Sequence, residues 1–251
     1  LKITSYENID ILIMKLRPEI YNLCFNKFGN YIVQILIERS LEFRYEFLQT
    51  IIENFETMVI DEYPARVLQK YMMLGEKKVE RMAIEFLTYN PDFFLNNVSS
   101  VILLNKLILI TKNEAILDTV KKFFKNVIIM NPFIIQTHRH FIRILMNLFT
   151  VMDRNEISVI FFYLKDFIEY FAHHQFGMYV LQKVIEKEVK PFDLMIKSYL
   201  VQNYSKIYEV KQPKYVIFRA LEFEYHKNKG GIFALEVLKG IVMNKDELEK
   251  I

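Results

Sequence analysis

Asn26-Lys-Phe-Gly-Asn-Tyr-Ile-Val-Gln34 decides the fold, because the chain repeats it. Asp61-Glu-Tyr-Pro-Ala-Arg-Val-Leu-Gln69 and His174-Gln-Phe-Gly-Met-Tyr-Val-Leu-Gln182 keep the same order: a polar residue able to cap a helix, an aromatic, Gly or Pro, then an apolar-periodic helix carrying Gln. Shared order over this length implies a shared structural unit.

With Asn30 as reference, Ala65 and Met178 hold the same place, and the gap between them has room for two weaker copies. Asn96 to Leu104 supplies one, centred on Ser100, and Ile135 to Arg143 another, centred on Arg139. A sixth copy, Val210 to Phe218, centres on Lys214. An apolar-periodic helix precedes each copy, such as Ile9 to Leu23 and Ile157 to Ala172, so each unit reads as a helix pair. Asn26, Asp61 and Asn96 suit helix N-caps, and Pro64 and Pro213 fall in a first turn, where a missing N–H costs nothing. Helix pairs of this kind bury their apolar faces only by stacking, which predicts one all-α solenoid over 1–251, with residues 226–251 as a capping element.

Composition agrees. Hydrophobic residues make up 52% and charged residues 25%, enough for a packed core and unlike a disordered chain. Only 6 Gly and 6 Pro leave little material for hairpins. A net charge of +3 permits a polyanionic partner without demanding one. The single Cys24 excludes an intrachain disulfide and fits a reducing compartment. The most apolar run, Val101 to Ile110, is interrupted by Asn105 and Lys106, so no membrane span is expected. Leu1 in place of Met suggests a trimmed chain with flanking segments outside it.

The motif aromatic-Gly-Asn-Tyr-x-x-Gln at this spacing resembles the RNA-facing helix of Pumilio (PUF) repeats, over residues 6–225 or so. That resemblance implies a right-handed superhelix that binds single-stranded RNA, each repeat offering two side chains to a base edge and one to its face. Asn30 and Gln34 lie on one helical face with Tyr31 beside them. Carried over residue by residue, Asn30 and Gln34 with stacker Tyr31 match the uracil pattern. Ala65 and Gln69 with stacker Arg66 come close to the adenine pattern, giving 5′-AU-3′. Met178 and Gln182 with Tyr179 keep one reader and the stacker. Among the weaker copies, Ser100, Val101 and Leu104 offer neither amide nor stacker; Arg139, His140 and Arg143 are basic; and Lys214 keeps only Tyr215. No copy has the guanine-reading Ser-x-x-x-Glu pattern.

The resemblance implies a monomeric regulator of messenger RNA through its 3′ untranslated region, acting in the cytoplasm, with partner proteins on the convex face. The decay of three copies supports a second reading, a divergent scaffold for structured RNA or protein, for example in nucleolar ribosome assembly. A HEAT or armadillo array for the middle section would keep the fold class and lose the RNA. His138, His140, His173 and His174 lack a Cys partner or HExxH spacing, so neither metal nor other cofactor is expected. No phosphate loop, nucleophile motif or paired carboxylates point to an enzyme.

Overall fold

A computed structural model describes residues 6–138, 140–203, 211–227, 231 and 233–239, with backbone alone at 6–8 and 211–213. Every regular element among them is a helix. In chain order they are α1 (Tyr6–Leu16), α2 (Ile20–Cys24), α3 (Gly29–Arg39), α4 (Leu41–Ile60), α5 (Glu62–Met73), α6 (Lys77–Tyr89), α7 (Pro91–Asn96), α8 (Val98–Ile110) and α9 (Glu114–Met130). There follow α10 (Ile134–Thr137), α11 (Phe141–Val151), α12 (Arg154–Leu164), α13 (Ile168–His173), α14 (Gly177–Glu186), α15 (Phe192–Gln202), α16 (Lys211–His226) and α17 (233–239). Contacts divide the chain into two compact units, Leu1–Phe123 with His138–His140, and Phe124–Thr137 with Phe141–Ile251. Val210, the start of the sixth copy, and most of the expected tail helix Ile232 to Val242 lie outside the described residues.

The repeat is a helix triplet rather than the expected pair. α6, α7 and α8 show it plainly: a long helix, a short one, then the helix that carries the motif. The expected continuous helices Ile9 to Leu23 and Ile157 to Ala172 are both broken, by 3-10 turns at Arg17–Glu19 and Lys165–Phe167. Pro18 ends the first, since its ring leaves no N–H for the helix ladder. In α4 the two parts stay joined but kink at Asn54 (φ −120°, ψ 16°), whose side chain donates to the Thr50 carbonyl at 2.8 Å.

The break lets the short helix end against the first turn of the motif helix. A Cβ on Gly29 would lie 2.6 Å from the Leu23 carbonyl oxygen, and one on Gly177 would lie 2.5 Å from that of Phe171. Only glycine permits this approach. The orphan N–H groups of that turn are met by a preceding side chain. The Asn26 carboxamide accepts from Phe28 and Gly29, both at 2.9 Å, and Asp61 accepts from Tyr63 at 3.0 Å. In the third repeat the cap is Asn97, not the expected Asn96: Asn97 accepts from Ser100 N–H at 3.0 Å, while Asn96 ends α7. Asn97 also donates to the Ile60 carbonyl at 3.0 Å, and the Ser100 hydroxyl bonds to Val59, which anchors α8 to the preceding repeat.

Apolar burial fixes the stacking. In unit 1 α3 packs beside α5 and α5 beside α8; in unit 2 α11 packs beside α14 and α14 beside α16. The fully buried Phe161 meets Phe149, Phe171 and Phe192, tying α11, α12, α13 and α15 together. Each such ring contributes about 1.5–3 kcal/mol by leaving water. Within α17, Phe233 and Val237 are buried, and the Lys197 ammonium lies 5.4 Å from the Phe233 ring, so this helix closes the end of unit 2.

His174 does with an imidazole what Asn26 does with an amide: its Nδ1 accepts from Phe176 N–H at 3.1 Å and Gly177 N–H at 3.2 Å. This needs the neutral ring. Burial between Tyr170 and Phe176 holds its pKa below the ordinary value of 6.5. The unfolded chain therefore takes up a proton near pH 6.5 while the folded ring resists it. The cap's stabilisation is complete above that pH and lost as pH falls below it.

Two outcomes follow for unfolding in urea. Gly177→Ala is expected to lose about 1–3 kcal/mol, since the added methyl meets backbone that cannot retreat. His174→Asn keeps the acceptor without the titration. The parent is expected to lose stability relative to this variant between pH 7.5 and 5.5, and a constant difference would show that the imidazole is not the cap.

Candidate nucleic-acid interface

The burial pattern of the motif helices sets their register. In α3 the buried places are Gly29, Asn30, Val33, Leu36 and Ile37. The same spacing recurs as Pro64, Ala65, Leu68, Tyr71 and Met72 in α5, and as Gly177, Met178, Leu181, Val184 and Ile185 in α14. In α8 it falls on Ser100, Val101, Leu104, Leu107 and Ile108, and in α11 on Phe141, Ile142, Leu145, Leu148 and Phe149. The reference residues of the third and fourth repeats are therefore Val101 and Ile142, correcting Ser100 and Arg139. Arg139 lies outside the described residues, and His140 sits in the turn before α11 rather than on it. The apolar in-and-out pattern carries the register in these copies, whereas aligning their polar residues slips it by one and by three positions.

In this register one exposed side chain per repeat projects from the residue after the reference. Tyr31 is 52% exposed, Ile102 38%, Tyr179 42% and Tyr215 47%, with Arg66 partly and Arg143 well exposed. Four of the six are aromatic or guanidinium planes in the described chain's motif helices besides Arg66, and only Ile102 offers no flat polarisable surface. Between adjacent helices α3 and α5, Arg66 Nη1 donates to the Tyr31 hydroxyl at 2.9 Å. The same guanidinium bonds Glu62 at 2.5 Å and lies 5.9 Å from the Tyr63 ring, so it is held in place from its own helix. In unit 2 the Arg143 guanidinium stands 5.7 Å from the Phe176 ring, at the start of the next motif helix.

The edge positions behave differently from the expectation. Asn30 is fully buried, and its amide N–H groups donate to the Asn26 and Lys27 carbonyls at 3.0 and 2.9 Å. Its Oδ1 accepts from Gln34 Nε2 at 3.0 Å. Asn30 thus orients the half-buried Gln34 and turns its carbonyl oxygen outward instead of meeting a base itself. Ala65 and Met178 are buried as well, leaving Gln69 half-buried and Gln182 donating to the Tyr215 carbonyl at 3.3 Å. The corrected register places Asn105 at the edge position of α8 and Met146 at that of α11, so the third repeat carries an amide where none was expected. In α16 the partly buried Lys214 and the exposed Phe218 take the two edge places.

Ion pairs bridge neighbouring motif helices at one register. Glu38 meets Lys70 at 2.8 Å, and Glu186 meets Arg219 at 2.8 Å as well as Lys183 of its own helix. The Lys70 hydrogen bond holds the Glu38 carboxyl below its usual range. At Glu186 burial works upward, and the bonds from Lys183 and Arg219 outweigh it. Such exposed pairs add little stability but fix which side chains stand opposite each other. Among the described residues no group of His, Cys, Asp and Glu could hold a metal ion, and no helix is long and apolar enough to cross a membrane.

No family model matches the sequence. The Suppressor protein MPT5 of Saccharomyces cerevisiae is 25% identical over 207 residues, 78% of this chain. The chain spans 23% of that relative's length. Three solved structures share the architecture. The Puf3 RNA-binding domain bound to a Cox17 RNA 3′ UTR recognition sequence has a TM-score of 0.74 at 17% identity, over 94% of this chain and 68% of that one. PUF-6 in complex with 5BE13 RNA gives 0.64 at 16% identity, over 96% and 69%. The RNA-binding domain of yeast Puf5p bound to SMX2 RNA gives 0.58 at 20% identity, over 92% and 66%. With triplet repeats, stacked motif helices and these matches in hand, the chain has the all-helical Pumilio-type repeat fold.

Proposed function

We propose that this chain binds single-stranded RNA, with bases lying against the exposed side chains of adjacent motif helices, and that it regulates messenger RNA in the cytoplasm through 3′ untranslated sequences. The observation that carries the reading is the recurrence of Tyr31, Arg66, Arg143, Tyr179 and Tyr215 at one helical position, partly or well exposed in every case. Rings and guanidinium planes repeated at that position offer successive stacking surfaces, which suit unpaired bases. The Tyr31 hydroxyl and Arg66 guanidinium already lie within hydrogen-bond distance. A base entering there replaces that bond with two faces. The solved Puf domains that share the fold were bound to RNA, in Puf3 to a 3′ UTR recognition sequence.

Base choice in the first repeat falls to Gln34. With Nε2 committed to Asn30, its outward carbonyl accepts from a base N–H. Uracil N3–H supplies that donor, whereas adenine N1 and cytosine N3 are acceptors and meet it unfavourably. The buried Ala65 and Met178 leave the second and fifth repeats with one amide each, Gln69 and Gln182. No described motif helix carries an edge carboxylate at these places, so guanine reading of the usual kind is not proposed.

The test is equilibrium binding of unpaired RNA oligonucleotides over a range of salt. Tyr31→Ala, Tyr179→Ala and Tyr215→Ala are each expected to weaken binding by about 1–3 kcal/mol, roughly 5- to 150-fold, without changing the salt slope. Gln34→Ala is expected to relax the preference for uracil at one position. Equal binding by all four variants, with a steep salt slope, would leave only phosphate contacts and sink the base-stacking reading.

A further inference from the structure

Two grooves stand at matching places in the two units, each formed where a 3-10 turn and short helix of one repeat meet the long helix of the next. In unit 1 the groove is small, about 120 Å³, and the Arg17–Glu46 ion pair at 2.8 Å spans it. Its walls include Pro18, Tyr21 and the buried Phe47.

In unit 2 the matching groove is about 590 Å³. The residue in the place of Glu46 is Leu194, 53% exposed, and that in the place of Phe47 is Met195, also exposed. Lys165, in the place of Arg17, has no carboxylate opposite, and its ammonium lies 4.7 Å from the Phe162 ring instead. Pro18 and Tyr21 are replaced by Asp166 and Glu169, both exposed. One set of substitutions therefore removes the bridging pair, bares two apolar side chains and adds two carboxylates at the rim.

We infer that this groove of unit 2 docks a peptide segment of a partner protein that carries a bulky apolar side chain beside a Lys or Arg. The apolar side chain seats on Leu194 and Met195, and burying them with it removes apolar surface from water. The basic side chain pairs with Asp166 and Glu169, which form no ion pair among the described residues. The carboxylates disfavour a nucleic acid here, since phosphates would face like charge. This surface is separate from the proposed base-binding side chains of α14 and α16 and does not depend on that reading.

The test is selection from a displayed random-peptide library on the intact chain, followed by titration of the enriched peptides. The comparison variant is Lys165→Arg with Leu194→Glu, which rebuilds the Arg17–Glu46 pair and closes the groove while the core residues stay in place. The expected result is enrichment of apolar-plus-basic peptides that bind the variant at least tenfold more weakly, with unchanged melting of the variant. A second variant, Asp166→Lys with Glu169→Lys, is expected to lose the same peptides and leave the apolar floor intact. Failure to enrich, enrichment of acidic peptides, or equal binding to parent and closed variant would each overturn the inference.

Discussion

Everything on the exposed side of the motif helices depends on one close contact, the carbonyl end of a short helix seated against the first turn of the next. At Gly29 and Gly177 there is no room for a methyl group, and the turn's N–H groups are taken by Asn26 and His174. This contact fixes where each motif helix starts and how it is rotated. Rotation then decides that the reference residue faces inward and its successor outward. A rigid helix start is what allows one position in each repeat to present its side chain in the same way.

Burial also explains why the inner amides work indirectly. Asn30 has no water contact, so each of its polar functions must find a partner inside. It finds two carbonyls and the Gln34 amide, and in doing so gives Gln34 one orientation out of two. The bridging pairs Glu38–Lys70 and Glu186–Arg219 then hold adjacent motif helices at a constant register within each unit. Unit 2 adds a different surface on the other elements of its repeats, where Leu194 and Met195 lie bare beside Asp166 and Glu169.

The fold was legible because three copies keep both the cap and the glycine or proline, and those residues mark a helix start whose geometry has little freedom. The stackers Tyr31, Arg66 and Tyr179 were legible for the same reason, being counted from that start. Where the copies decay, the polar markers drift while the core spacing does not: Phe141, Ile142, Leu145, Leu148 and Phe149 keep the pattern of α3 although no Gln accompanies them. Counting from apolar residues would have found Asn105 and placed Arg143. The third helix of each repeat escaped because a 3-10 turn preserves apolar periodicity closely enough to read as one continuous helix. The buried state of Asn30 was not legible at all, since a polar residue beside a tyrosine reads as surface until its neighbours are known.

The central claim is that the side chains following each reference residue hold bases, and selection from a random single-stranded RNA pool near physiological salt tests it most directly. The account predicts a short enriched motif containing uracil at the position set by the first repeat, with that preference lost in a Gln34→Ala pool and overall recovery reduced in a Tyr31→Ala, Tyr179→Ala pool. A pool that binds without enriching any motif, or that enriches the same motif with all three residues replaced, would contradict it.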